Sequence, residues 1–252
     1  MGNKGIRIRN VIGILFLIVF IFFNFSCLKN RASPSDNQTA AEMSEFDLLL
    51  EKILKGDPYL YILVDKEHPL PSTYEPSDLV KLTNNSSYRV SRNDLFLRKA
   101  AEESLLQMAM EAGELGLTLT ASSAYRSFNY QDQVYNRNVR NMGKTAADRV
   151  SARPGHSQHQ LGLVVDFGSI TNAFAETQEG RWLYENASRF GWSLSYPQGY
   201  EAITGYSWES WHYRYVGIDL AYFIDTYFDG IQQHALEYIH KNLNATQEHE
   251  EE

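Results

Sequence analysis

The chain has 252 residues, 43% hydrophobic and 21% charged, which is ordinary for a globular protein and enough for one well-buried core. It carries 23 basic and 31 acidic residues, a net charge of −8 with histidine neutral, and this anionic balance argues against a nucleic-acid partner. A single cysteine, Cys27, excludes an intrachain disulfide.

The amino terminus departs from that ordinary composition. Lys4, Arg7 and Arg9 precede VIGILFLIVFIFF, an apolar run followed by NFSC, which is the order of an export signal over residues 1–26. The run is shorter than the about 20 residues of a spanning helix, and an uncleaved membrane anchor is the alternative. Without residues 1–26 the chain keeps 20 basic against 31 acidic residues, a charge of −11. Cys27 sits where cleavage is expected, and the arrangement resembles a bacterial lipoprotein signal, with Asn24 at a position where leucine is usual. The chain is therefore expected in the cell envelope, held at the membrane through lipid on Cys27 or through the anchor. Residues 27–43 are rich in Ser, Asn and Ala and read as a flexible tether.

A folded domain is expected over residues 44–243. In SEFDLLLEKILKG, Phe46, Leu49, Leu50, Ile53 and Leu54 recur at helical spacing, with Ser44 as cap and Gly56 as stop. YLYILV reads as a strand, and the proline-punctuated DKEHPLPSTYEP as an extended surface segment. A long amphipathic helix is expected from Asn93 or Asp94 to about Glu114. LTLTASSAY alternates like a strand, a helix follows from about Asn129 to Asn141, and GKTAADRVSARPG reads as a loop. Then come strand LGLVVDFG, helix EGRWLYENASRFG, strands WSLSY and SWHYRYVG, and one closing helix from about Leu220. The acidic tail, residues 244–252, is expected to be disordered. Early helices followed by short interleaved strands predict an α+β fold with a small central antiparallel sheet flanked by helices.

The chemistry concentrates in two segments. HSQHQLGLVVD places His159 seven residues before Asp166. On an unbroken strand these side chains point to opposite faces, so both can serve one site only through a bend, which Gly162 can supply. WESWHYRYVG adds Glu209 and His212 among aromatic residues. Two histidines and one aspartate form a three-ligand set with a fourth position open, the catalytic pattern for zinc. His156 reads as a loop residue, because a fourth protein ligand would close the site. A strand would separate Glu209 from His212, so a turn is expected between them.

These segments resemble the zinc D-Ala-D-Ala carboxypeptidases of the VanY type, whose hallmarks are Ser-X-His-X6-Asp and Glu-X-Trp-His. They stand here as Ser157-Gln158-His159 through Asp166 and as Glu209-Ser210-Trp211-His212. SAYRSFNYQ, RPGHSQHQLGLVVDFG and ITGYSWESWHYRYVG follow in the family's order between about Pro58 and Gly217. The resemblance implies a Hedgehog/DD-peptidase-like fold, Zn2+ held by His159, Asp166 and His212, and Glu209 as catalytic acid/base. It also implies that Arg126 contacts substrate and stabilises developing negative charge, with Gln131 and Ser157 beside the ligand. The substrate it implies is a peptidoglycan stem peptide that loses its terminal D-alanine. L,D-carboxypeptidase or endopeptidase activity on the same fold, and a non-catalytic cell-wall-binding lipoprotein, are the competing readings. The sequence departs from the family pattern at Gln158, where Glu is common, at Ser210, where Pro is usual, and at Ser195 and Tyr200, where basic residues are frequent. The last two changes bear on substrate preference, since a cationic rim would favour acidic stem peptides.

Overall fold

A computed structural model describes residues 43–250. The expected export signal, Cys27 and nearly all of the expected tether lie outside them. Helix α1 (Glu45–Leu54) opens on a capping box, with Ser44 Oγ receiving Asp47 N–H and the Asp47 carboxylate receiving Ser44 N–H. YLYILV is not a strand. Asp57 caps and Pro58 occupies the first turn of a short helix, α2 (Pro58–Tyr61). The carbonyls that a neighbouring strand would have used are taken by Arg214, whose Nη2 donates to Tyr59, Leu60 and Ile62 at 3.1, 3.1 and 2.9 Å.

Strands β1 (Leu79–Lys81), β2 (Tyr88–Val90) and β3 (Phe96–Arg98) are short, and none was legible from alternation. Because β3 pairs with β1, helix α3 (Lys99–Glu114) begins several residues later than expected. It turns Ala101, Leu105, Met108 and Ala112 into the main core. β4 (Leu119–Ser123) and α4 (Phe128–Met142) match expectation. The segment read as a loop holds a further helix, α5 (Lys144–Val150), which Gly143 at φ 79° separates from α4. Its Ala147 is buried, and its Asp148 is tied to Tyr135, Lys144 and Arg153.

β5 (Val164–Phe167), α6 (Gln178–Asn186), β6 (Trp192–Leu194), α7 (Glu201–Thr204) and β7 (His212–Tyr215) complete the sheet region. The five-stranded order is β2-β4-β5-β7-β6, antiparallel throughout except for the parallel edge pair β2 and β4. The α+β expectation holds, with that one parallel strand added. Instead of one closing helix there are two, α8 (Ile218–Tyr227) and α9 (Gln232–Glu250), broken where Asp229 and Gly230 take positive φ. An Asp-Gly pair readily adopts this turn conformation. These helices and α1 share a second apolar cluster around Phe223, Ile224 and Leu236. Helix α9 continues to Glu250, so most of the tail expected to be disordered is helical. Ala, Gln and Glu are good helix formers, and extending a formed helix needs no new nucleus. Among the described residues, no helix is long and apolar enough to cross a membrane.

Candidate metal centre and active site

The two faces of the sheet divide the labour. Along β5 and β7, Val165, Phe167 and Tyr213 enter the main core. Their alternates Asp166, His212 and Arg214 are buried on the other face. Asp166 and His212 are direct cross-strand partners in the antiparallel register, which puts their side chains side by side. A register irregularity in β4 between Ala121 and Ser123 brings Ser123 opposite Asp166, the kind of bulge that re-aims side chains beside a site.

His159 arrives from a 3-10 turn, Gln158–Leu161, that ends at Gly162 with φ 68°. The expected bend is therefore present. A Cβ at Gly162 would lie 2.9 Å from Leu79 Cδ2 and 3.1 Å from Arg98 Cγ, so the position lacks both the room and the backbone angle for another residue. Glu209 and His212 are separated by a turn at Ser210 and Trp211, also as expected, and His212 N–H reaches the Glu209 carbonyl at 3.3 Å.

One donor atom from each of His159, Asp166 and His212 lies within 4.8 Å of the others. His159 Nε2 is 3.3 Å from Asp166 Oδ2, and His212 Nδ1 is 3.2 Å from Asp166 Oδ1. Donors bound about 2.0–2.1 Å from one tetrahedral ion are separated by about 3.3 Å. His159 Nδ1 lies 2.6 Å from the Ala124 carbonyl, which can only accept, so Nδ1 carries the proton. Its Nε2 lone pair therefore faces a carboxylate oxygen, and Nε2 and Asp166 Oδ1 are both buried without a hydrogen bond. Two facing lone-pair donors repel unless a cation joins them. The three residues fit Zn2+ on this ground.

The electrostatics agree. Burial, with help from Arg126, pushes His159 down to about 4, which keeps its imidazole neutral. Burial opposes the charge on Asp166, yet His159 and His212 beside it hold its carboxyl well below the usual carboxylate range. Burial likewise opposes charge on His212, but hydrogen bonding to Asp166 and Glu209 raises it above its ordinary value. The pair of carboxylates attracts positive charge to this point.

Glu209 Oε2 lies 3.4 Å from His212 Nδ1, and burial pushes its carboxyl up. Arg126 Nη2 is 3.8 Å from Asp166 Oδ2, and its Nη1 donates to Gln131 Oε1 at 3.0 Å. Gln131 in turn donates to the Ala152 carbonyl at 2.6 Å. Ser157 precedes the 3-10 turn without capping it. A cavity of about 280 Å³ is lined by all seven expected site residues, by Tyr196 and Tyr206, and by Arg92 and Arg137. His156 is turned away, its Nδ1 2.8 Å from the Asp65 carbonyl.

A model of the VanY D-alanyl-D-alanine carboxypeptidase family matches residues 94–218. A D-alanyl-D-alanine carboxypeptidase of Enterococcus faecalis (strain ATCC 700802 / V583) is 33% identical over 196 residues, which cover 72% of this chain and 68% of the relative. The chain belongs to the VanY family. The YodJ protein of Bacillus subtilis (strain 168) is 38% identical over 161 residues, 62% of this chain, and the chain spans 59% of that relative's length. Among solved structures, the LdcB LD-carboxypeptidase aligns with a TM-score of 0.64 at 34% identity, covering 71% of this chain and 86% of its own. The VanY D,D-pentapeptidase of a VanB-type resistance cassette, solved as a mutant with Zn(II), aligns at 0.58 and 31%, covering 71% and 98%.

Against that family pattern one expectation needs correction. Ser195 does not stand at the rim of the cleft: it is buried, and its hydroxyl donates to Gln158 at 2.8 Å. Tyr200 lines a different cavity, about 720 Å³ in volume, between α6 and the β6 region. Cationic lining of the VanY-family cleft comes instead from Arg92, Arg126 and Arg137. Reading the chain alone missed the tyrosines, Arg92 and Arg137, because nothing local marks a residue that reaches the site only through packing.

Proposed function

We propose that this protein is a zinc-dependent D-Ala-D-Ala carboxypeptidase that removes the terminal D-alanine from peptidoglycan stem peptides. The carrying observation is the convergence of His159, Asp166 and His212 with Glu209 3.4 Å from His212, inside a cleft that also holds Arg126. When bound, zinc polarises the scissile carbonyl and lowers the pKa of water toward about 7. Glu209 accepts the proton from the attacking water and passes it to the leaving amine. Burial, which raises its carboxyl above the ordinary value, suits it to take up that proton. Arg126, held by Gln131, offers a guanidinium to developing oxyanion charge or to the substrate's carboxylate. Ser157 contributes a hydroxyl to the cleft wall.

Three arginines on the cleft of a net anionic chain favour a substrate that ends in a free carboxylate. The amino-terminal sequence supports export to the cell envelope, with tethering through Cys27 or an uncleaved anchor. A second reading, L,D-carboxypeptidase activity, is supported by the likeness to LdcB.

Digestion of purified muropeptides followed by mass analysis tests these readings. The zinc-loaded protein is expected to shorten the pentapeptide by one alanine and to stop when a chelator is added. Shortening of the tetrapeptide instead selects the second reading. A wild type as inert as Glu209→Ala would leave only cell-wall binding.

A further inference from the structure

His159 is oriented by the main chain, but His212 has no carbonyl at its second ring nitrogen. Its Nε2 lies 3.2 Å from Gln158 Oε1. An amide side chain can present either end, so the direction of this contact must be decided elsewhere. It is decided by a relay of buried side chains. Gln232, the first residue of α9, lies with Nε2 3.3 Å from the Ser193 carbonyl, which can only accept. Its Oε1 therefore points the other way and receives Gln158 Nε2 at 3.3 Å. That leaves Gln158 Oε1 facing His212, with Ser195 Oγ donating to the same oxygen at 2.8 Å. An amide oxygen only accepts, so it takes the Nε2–H of His212. The Asp166 and Glu209 carboxylates at Nδ1 also only accept, so the Nδ1 lone pair is freed for ligation when a cation takes the place of a proton there. Gln158, Ser195 and Gln232 are all at most 3% exposed, so water does not compete at these contacts.

We infer that Gln158 is a positioning residue for the metal site: backed by Ser195 and Gln232, it accepts from His212 Nε2 and holds the ring with Nδ1 toward the ion, and so makes helix α9 part of the metal centre. This inference rests on the zinc reading above for its consequence, but not for its geometry. A fixed outer partner both orients an imidazole and tunes its strength as a ligand. Gln158 also precedes His159 on the same 3-10 turn, so one short segment supplies one ligand and aligns the other. Gln158→Leu leaves the buried Nε2–H of His212 without a partner and the ring without its outer support. Gln158→Glu keeps an acceptor for His212 Nε2–H, now charged, with Ser195 Oγ still placed to donate to it.

The test is zinc affinity by competition with a chromophoric chelator, together with 15N spectra of histidine-labelled full-length protein. Gln158→Leu is expected to bind zinc about 10- to 100-fold more weakly. Gln232→Leu should lose less, and Gln158→Glu should bind at least as tightly as wild type. Gln160→Leu removes an equally buried amide that donates to the Pro71 and Tyr74 carbonyls, and it should lower Tm while leaving zinc affinity in place. In the zinc-loaded wild type the 15N spectra should show His212 Nε2–H at a hydrogen-bonded shift, and in Gln158→Leu that shift should be lost. Wild-type zinc affinity in Gln158→Leu, or an unchanged His212 Nε2–H shift in that zinc-loaded variant, overturns the inference. Failure of the wild type to bind zinc would overturn the metal reading, whereas a wild type that binds zinc with Gln158→Leu unaffected would overturn the inference alone.

Discussion

The two faces of β5 and β7 are built from alternating residues of the same strands, yet they answer to different physics. On one face Val165, Phe167 and Tyr213 are buried among apolar side chains, where removal from water is itself stabilising. On the other, Asp166, His212 and Arg214 are equally buried but polar, and burial there costs free energy unless hydrogen bonds or an ion compensate. Arg214 Nη2 is compensated by three main-chain carbonyls, but Arg214 Nε and Nη1, like His159 Nε2 and Asp166 Oδ1, are buried without a hydrogen bond. A fold that carries such a cluster has exchanged stability for chemistry at that place.

Substitutions on each face should therefore separate activity from stability. The largest effect is expected on the polar face: Glu209→Gln should lower kcat by about 10²- to 10⁴-fold, the usual worth of a positioned acid/base, with Tm equal to or above wild type because a buried carboxylate is removed. A Tm loss comparable to a core substitution would break the contrast. Next, Phe167→Ala on the apolar face should cost about 3–5 kcal/mol of stability in denaturant titration, while zinc stoichiometry in the folded fraction stays at one. Loss of zinc there would show that the faces are not separable.

Arg126→Lys keeps the charge but loses the planar fork, and kcat/KM should fall by about 10- to 100-fold, the equivalent of one or two charge-assisted hydrogen bonds. Steady-state kinetics on a D-Ala-D-Ala peptide measures it, and an unchanged kcat/KM would remove Arg126 from the substrate's path. The smallest effect is expected for Gly162→Ala, about 1–2 kcal/mol for a left-handed residue with a Cβ, added to its contact with Leu79. Because Gly162 turns the chain between His159 and Asp166, zinc affinity should weaken along with Tm, joining the two faces at one hinge.

Local chemistry made much of this molecule legible. Ser44, the helical spacing of α1 and α4, Gly162 and the turn before His212 each act within a few residues, and all were readable in order. The ligand set could also be proposed from residue type, since few combinations other than two imidazoles and a carboxylate serve a catalytic zinc site. Strands of three residues left too little alternation to read, and α5 was hidden because its sequence resembles a polar loop.

Other features required the whole fold. YLYILV has strand composition, but Arg214, more than 150 residues away in sequence, takes three of its carbonyls, and its first three residues are helical. The pairing of Asp166 with His212 depends on strand register, and a slip of one residue would have sent both to the opposite face. Gln158 and Ser195 stand out in sequence only as departures from the family pattern and Gln232 not at all, and only the packing of α9 against the sheet makes them a directed relay. By itself the sequence determined the donors, the bends and the charge, because those are properties of residues and their near neighbours. Which donors meet, which tautomer each presents and which arginines line the cleft were decided by tertiary structure, because those depend on distances between segments that only the packed sheet establishes.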